Sequence, residues 1–210
     1  MTVGTYKLYG RLGAGSLAPQ IVLEEVGAPY ELIWVGAAAG EIEALRRVHP
    51  AARIPLLILP DGTAVSESAA ILIHLATAYP AAHLAPTAGT AANARFLQWM
   101  VFLSANVYEA ARRFFHPQRF ASTGAAAQAD ITAQGLTDWG RHLELIHEGL
   151  SPYVLGTEFS AADPYLHMLA GWYPDGPNVF AARLPRLVQH AELLRRRPAT
   201  RKAEKDHEEN

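Results

Sequence analysis

YKLYGRLGAGSLAPQIVLEEVG, residues 6–27, decides how the chain is read. Tyr6, Leu8 and Tyr9 give a short alternating run that predicts a β-strand of about five residues. Gly10, Gly13 and Gly15 follow in a loop that bends without steric cost. Ser16 comes next, and Leu17, Ile21, Val22, Leu23 and Val26 then recur at helical spacing up to Gly27, which predicts a helix with a glycine stop. Ser16 therefore stands at a strand-to-helix turn, where unpaired backbone N–H groups and the positive end of the helix dipole favour a negative charge. Serine is also a preferred N-cap, and on this stretch alone capping is the commoner role. The three glycines match neither the dinucleotide fingerprint nor the P-loop.

Outward from this stretch, strand and helix alternate. Tyr30–Val35 reads as a second strand, and Glu41–Val48 as a short amphipathic helix ended by His49-Pro50. Ile54–Leu59 and Thr63–Val65 form a hairpin around Pro60-Asp61-Gly62, and Glu67-Ser68 opens a helix to about Tyr79. The order is βαβαββα over residues 1–80. Residues 81–90 are rich in Pro, Ala, Thr and Gly and read as a linker. Residues 91–201 are helical throughout: Asn93–Phe115, about Ala125 to Leu150, a helix from Ser160, and about Leu184 to Arg196. Trp172–Phe180 reads as a loop, and residues 202–210, charged and without apolar anchors, as a disordered tail. The fold class is an α/β unit followed by an all-α unit.

Composition bounds the function. Of 210 residues, half are hydrophobic and 18% are charged, an ordinary globular balance. A net charge of −2 without a basic stripe argues against nucleic acid as a partner. No apolar run approaches the length that spans a bilayer, and no signal peptide is evident, so no membrane partner and a cytoplasmic location are expected. Cysteine is absent, which excludes disulfides, cysteine-based metal sites and a cysteine nucleophile. The nine histidines form no metal constellation, and no metal is expected.

Two further signals carry chemistry. Pro55 precedes a strand; with a cis Ile54-Pro55 bond, the backbone of Ile54 is free to pair with an extended peptide, although a trans proline is the commoner case. At Glu67-Ser68, the Ser68 hydroxyl and the first free N–H groups suit a ligand carboxylate while Glu67 accepts from an ammonium; Ser66 or Glu67 as a simple cap is the plainer reading.

Together these features resemble the cytosolic glutathione transferases. GAGSLAPQIVLEEVGAPYEL, VHPAARIPLLILPDGTAVSESAAILIHLA and FSAADPYLHMLAGW, in this order and spacing, are similar to the bacterial beta class over nearly the whole chain. The resemblance implies a thioredoxin-like N-terminal domain, a helical C-terminal domain, a homodimer, and glutathione as co-substrate. It places Ile54 and cis-Pro55 against the cysteinyl backbone, and Glu67 and Ser68 at the γ-glutamyl end. It makes Ser160 and Asp163 a capping box that serves folding, with Pro164 an unusual neighbour that strains or shortens the helix start. Tyr9, Asn106, Tyr108 and Arg112 become candidates for the substrate site.

The departures are as informative. Gly15 stands where the beta class has its cysteine, Tyr108 where that class has a histidine, and Gly36–Gly40 lacks a basic residue, leaving Trp34, His49 or Arg53 for the glycyl carboxylate. Thiol exchange is thereby disfavoured, and Ser16 becomes the candidate thiolate stabiliser, with Tyr9 and Tyr6 as competing hydroxyls. Lowering a thiol pKa by about two units takes roughly 2.7 kcal/mol. A hydroxyl bond to a charged group supplies about 1.5–3 kcal/mol and a helix start about 0.3–1 more. The expected activity is attack of the thiolate on a small hydrophobic electrophile. Alternatives are a non-catalytic ligand- or partner-binding protein of the same fold, or a glutathione-dependent lyase, isomerase or peroxidase.

Overall fold

The computed structural model describes residues 4–121 and 124–209. Its first unit, running through Ala85 and rejoined from Leu193 onward, contains β1 (Tyr6–Gly10), α1 (Leu17–Glu25), β2 (Tyr30–Trp34), α2 (Ala39–Val48), β3 (Leu56–Ile58), β4 (Ala64–Ser66) and α3 (Ser68–Ala78). This is the expected βαβαββα order. The four strands lie in the order β2-β1-β3-β4, with β1 parallel to β2 and the other pairs antiparallel. Leu8 and Leu57 face each other across the β1–β3 ladder and are both fully buried. On the opposite face Tyr9, Ile54, Ile58 and Ala64 pack on Val35, Leu45 and Leu56, so α2 covers that side through Leu45. The apolar alternation of β1 thus sets which side chains form each layer.

Register gathers the loops. Tyr9 pairs Leu56, Leu56 pairs Ser66, and Gly10 pairs Trp34. The end of β1, the end of β2, the start of β3 and the end of β4 therefore lie along one edge of the sheet. β3 is shorter than the sequence suggests, and β4 is shifted by one residue from Thr63–Val65. Ile54 and Pro55 lie outside the ladder, which begins at Leu56, because a proline nitrogen has no hydrogen to donate.

The C-terminal segment corrects an expectation. Residues 202–208, read from sequence as a disordered tail, belong to α10 (Pro198–Glu208), while Asn210 lies outside the described residues. Ala199 and Ala203 pack on Ile21 of α1, with Leu17 alongside. Small residues at i and i+4 let the two helices approach closely, and most of the charges of residues 202–209 are paired. Arg197 forms a two-pronged ion pair with Glu25 at 2.6 and 2.7 Å. Lys202 reaches Glu24, and Gln20 donates to Asp206 at 2.7 Å. Glu24 also accepts from the Tyr30 hydroxyl; burial, then that bond, pushes the Tyr30 pKa up to about 12.

The second unit spans Pro86–Glu192. The predicted long helix is α4 (Ala91–Phe102) and α5 (Glu109–Phe115), joined without a break by a six-residue π-helical segment, Leu103–Tyr108. Next comes α6 (Ala125–Gly149). A Cβ on Gly135 would fall 2.8 Å from the Phe114 nitrogen, so a glycine is required where α6 meets α5. α7 (Ala162–Gly171) begins two residues later than expected from Ser160. Pro164 consequently falls in the first turn, where no backbone hydrogen is needed. The stretch read as the Trp172–Phe180 loop is partly helical, since α8 spans Gly176–Arg183; α9 (Pro185–Arg196) follows and crosses the boundary between the units.

The helical core of this unit is built on Phe96, Met100, Leu103, Val107, Trp139, Leu143 and Tyr165, all buried. Asp163 is fully buried and closes the start of α7. It accepts from the Ser160 N–H at 2.8 Å, the Ser160 hydroxyl at 3.1 Å and the Val154 N–H at 2.8 Å, and it pairs with His190 at 3.0 Å. The Asp163 half of the capping box is present, while the Ser160 hydroxyl accepts from the Ala162 N–H at 3.3 Å in place of the Asp163 N–H.

Candidate glutathione-type site on the sheet edge

The glycine loop is shaped by contact with its own serine. A Cβ on Gly10 would lie 2.8 Å from the Ser16 hydroxyl and 2.9 Å from its Cβ, so Gly10 leaves the room that Ser16 occupies. Ser16 has no exposed surface. Its hydroxyl accepts from the Arg11 N–H and donates to the Arg11 carbonyl, both at 3.3 Å. It makes no capping bond to α1. The hydroxyl expected from sequence to face a ligand is here turned into the loop, braced against the Arg11 peptide. The donors left by the missing cap are backbone ones. In the first turn of α1 they belong to Leu17 and Ala18, since Pro19 has none.

The other two pieces lie on the same edge. Ile54-Pro55 is cis, and Ile54 is half-buried with its backbone beyond the ladder. Glu67 is exposed at the start of α3 with φ 71° and ψ 118°, a conformation that L residues rarely hold. Strain of about 1–3 kcal/mol persists at such a position only when the surroundings fix it. Ser68 is buried, and its hydroxyl lies 3.5 Å from the Gly15 carbonyl, linking the α3 start to the glycine loop. These strand ends thus offer free N–H groups at two helix starts, a carboxylate beside one of them, and the backbone of Ile54, beyond the ladder, between. They have the means to hold a zwitterionic amino-acid end, an extended peptide backbone and an anion.

The remaining candidates divide sharply. Tyr9 is half-buried in the layer with Val35 and Leu45, and Tyr6 is buried in the core. Burial, then its contact with Tyr79, raises the Tyr6 pKa to about 12. Both rings pack, as strand tyrosines do. Trp34 sets its ring edge-on to His207 at 4.9 Å, and His49 accepts from the Ala51 N–H. Arg53 is exposed beside Ile54.

Asn106 and Tyr108 lie in the π-helical segment of the second unit, and Arg112 one turn further along α5. Tyr108 packs edge-on against Trp172 at 5.5 Å and beside Tyr165 at 6.5 Å. Arg112 stacks 6.0 Å over the Phe120 ring. The widened turn itself was not legible in the sequence; such single-turn bulges recur at functional positions.

One residue went unweighed in the sequence. Arg11 donates from Nε to the Val35 carbonyl at 3.0 Å and from Nη2 to the Gly36 carbonyl at 2.6 Å. Its guanidinium thus stands at the end of β2, where the chain after the strand carries no cation. The available signal was that Arg11 is the one charged residue between Gly10 and Ser16.

Comparison with known proteins agrees with this geometry. The family model described as the glutathione S-transferase N-terminal domain matches residues 16–78. A glutathione transferase homologue from Sulfitobacter, solved with bound glutathione, is 29% identical, covers 98% of this chain and 99% of its own, and superposes with a TM-score of 0.87. A glutathione transferase from Methylococcus capsulatus is 30% identical over 97% of this chain and 98% of its own, with a TM-score of 0.82. Glutathione S-transferase GstA of Escherichia coli O157:H7 is 25% identical over 198 residues, 89% of this chain and 94% of its own length.

Proposed function

Because the chain belongs to the glutathione S-transferase family, we propose that it binds glutathione along the sheet edge and ionises its thiol at the start of α1. The anion then attacks a small hydrophobic electrophile. Glu67 accepts from the γ-glutamyl ammonium, Ser68 and the first N–H groups of α3 receive its carboxylate, and Ile54 pairs with the cysteinyl backbone. The thiol proton leaves to solvent. The sulfur lone pair forms a C–S bond as the leaving group departs, or adds to an activated double bond that is then protonated.

The observation that carries this reading is the gathering of α1, Ile54-cis-Pro55 and Glu67-Ser68 on one edge, with the Ser68 hydroxyl 3.5 Å from the Gly15 carbonyl. A backbone N–H bond to a charged sulfur supplies about 1.5–3 kcal/mol and the helix start about 0.3–1 more, enough to lower the thiol pKa by about two units. No side-chain hydroxyl is needed, and Ser16 becomes a positioning residue that braces the loop. The beta-class assignment rests on the motifs quoted above, with Gly15 in place of the class cysteine. A cytoplasmic homodimer acting in detoxification is the setting that fits. Among the described residues no helix is long and apolar enough to cross a membrane.

Ultraviolet thiolate absorbance of bound glutathione against pH tests the mechanism. The expected midpoint lies about two units below the free thiol value of about 8.5, and Ser16→Ala moves it by less than half that shift. A protein that binds glutathione with an unshifted thiol is a non-catalytic binder of the same fold, and one that does not bind it at all removes the reading. A full loss of the shift in Ser16→Ala would return the hydroxyl to a direct role.

A further inference from the structure

Sheet register gives the ligand a direction. An amino-acid end held at the start of α3 sits at the end of β4, and Ile54 sits at the start of β3. The start of α1 follows the end of β1, and β2 is the next strand outward. From β4 to β2 the strand ends span about 14 Å at the usual strand spacing. Three extended residues reach about 10–11 Å, and the two methylenes of a γ-glutamyl link add to that. A tripeptide anchored at Glu67 and paired at Ile54 therefore ends with its second carboxylate at the terminus of β2.

At that terminus the guanidinium of Arg11 is already fixed. Its side-on pair of donors, Nε–H and one Nη2–H, is used on the Val35 and Gly36 carbonyls. The end-on pair, Nη1–H and the second Nη2–H, keeps the fork geometry that a carboxylate accepts in two bonds. Arg113, in α5 of the second unit, shows the contrast, since it is neutralised by Glu109 and Asp138. Arg11 is held by carbonyl oxygens, which fix its position and leave its charge unbalanced. Glu41, the carboxylate nearest in the structure's bonding pattern, is engaged by the Gly36 N–H at 2.9 Å.

We propose that Arg11 binds the glycyl carboxylate of glutathione, a contact supplied from the glycine loop in a chain whose stretch 36–40, directly after β2, carries no cation. The assignment rests on glutathione being the ligand. It makes Arg11 a specificity-determining residue for tripeptides with a free C-terminal carboxylate.

Calorimetric titration of the full chain with glutathione and with its glycyl monoethyl ester tests it. Wild type is expected to prefer glutathione by about 10–100-fold, the worth of one charged hydrogen-bonded contact. Arg11→Ala should lose that factor for glutathione while binding the ester as before. Arg11→Lys should retain part of the preference, and Arg53→Ala should retain all of it. Equal weakening of both ligands by Arg11→Ala, as from a merely structural brace, overturns the proposal, as does loss of the preference in Arg53→Ala. Wild type binding both ligands equally overturns it while leaving glutathione as the ligand. Wild type binding neither removes the functional reading along with it.

Discussion

Two helices of this protein are preceded by serine in sequences that look equally like caps, and the structure uses them in opposite ways. At the start of α7, Ser160 and Asp163 close the donors: one carboxylate takes two backbone N–H groups, a hydroxyl and a histidine, all buried. At the start of α1, Ser16 is just as buried, yet its hydroxyl turns back to the Arg11 peptide and gives the helix no capping bond. The first arrangement spends its polar groups on holding the fold. The second leaves backbone donors for a ligand. The difference lies in the residue three positions on: Asp163 reaches back to Ser160, whereas Pro19 after Ser16 has neither a side-chain acceptor nor an N–H.

The largest expected effect breaks the closed helix start. Asp163→Ala leaves the buried N–H groups of Val154 and Ser160, and the ring of His190, without their acceptor. Loss of such a buried network should lower stability by about 3–5 kcal/mol. Urea unfolding measures it, and folded protein at low temperature should keep its glutathione affinity. A loss below about 1 kcal/mol would mean that the α7 start is not the locked element described here.

The same substitution at both starts sharpens the comparison. Ser160→Ala removes a bond to Asp163 and one from the Ala162 N–H, and should destabilise by about 1–2 kcal/mol. Ser16→Ala removes two bonds of 3.3 Å, longer than a good hydroxyl bond, and should destabilise by about 0.5 kcal/mol. Its signature should instead be weaker glutathione binding, as the Arg11–Ser16 loop loosens. Parallel urea titrations and calorimetry separate the two, and equal destabilisation would erase the distinction.

How much of this was readable in the sequence follows from what each feature depends on. The βαβαββα order and the helical second half rest on local periodicity and turn residues, and they were legible, as was the S-x-x-D box at Ser160. The Glu67-Ser68 and Ile54-Pro55 signals were also visible, because each is a short motif. What was lost depends on contacts distant in sequence. Residues 202–210 looked disordered because they are charged and lack apolar anchors, and the partner of Lys202, Glu24, lies 178 residues away. Ser16 looked ligand-facing because nothing local reveals that Gly10 opens a niche for it. Arg11 was overlooked because its place at the end of β2 comes from strand pairing between β1 and β2.

A third helix start tests whether openness carries strain. Glu67 at φ 71° holds the start of α3 in a conformation better suited to glycine. Glu67→Gly should relieve the strain against the greater chain entropy of glycine, for a net gain of about 1 kcal/mol in unfolding free energy. It should also lose the carboxylate that accepts from the γ-glutamyl ammonium and weaken glutathione binding by about 10–100-fold. A variant that becomes less stable would show that the Glu67 backbone is not strained, and one that binds normally would remove its side chain from the site.

The smallest effect concerns what holds α1 from behind. Burial lowers the pKa of His207 on α10 from 6.5, with Asp206 opposing, and its ring meets the edge of Trp34 at 4.9 Å. A histidine kept neutral in the folded state binds fewer protons than in the unfolded chain once pH drops below about 6.5. Stability therefore falls as pH decreases through that value and levels off below the folded pKa. His116 and His142 are lowered by burial as well and add the same sign globally. The share belonging to α10 should appear as faster hydrogen exchange in α10 and α1, after correction for intrinsic rates, between about pH 7.5 and 5.5. His207→Gln should flatten that local dependence and leave α7 unchanged. Because Asp163 locks α7 from within its own unit while α1 leans on α10 through Ile21, Ala199 and Ala203, acid should loosen the open helix start before the closed one.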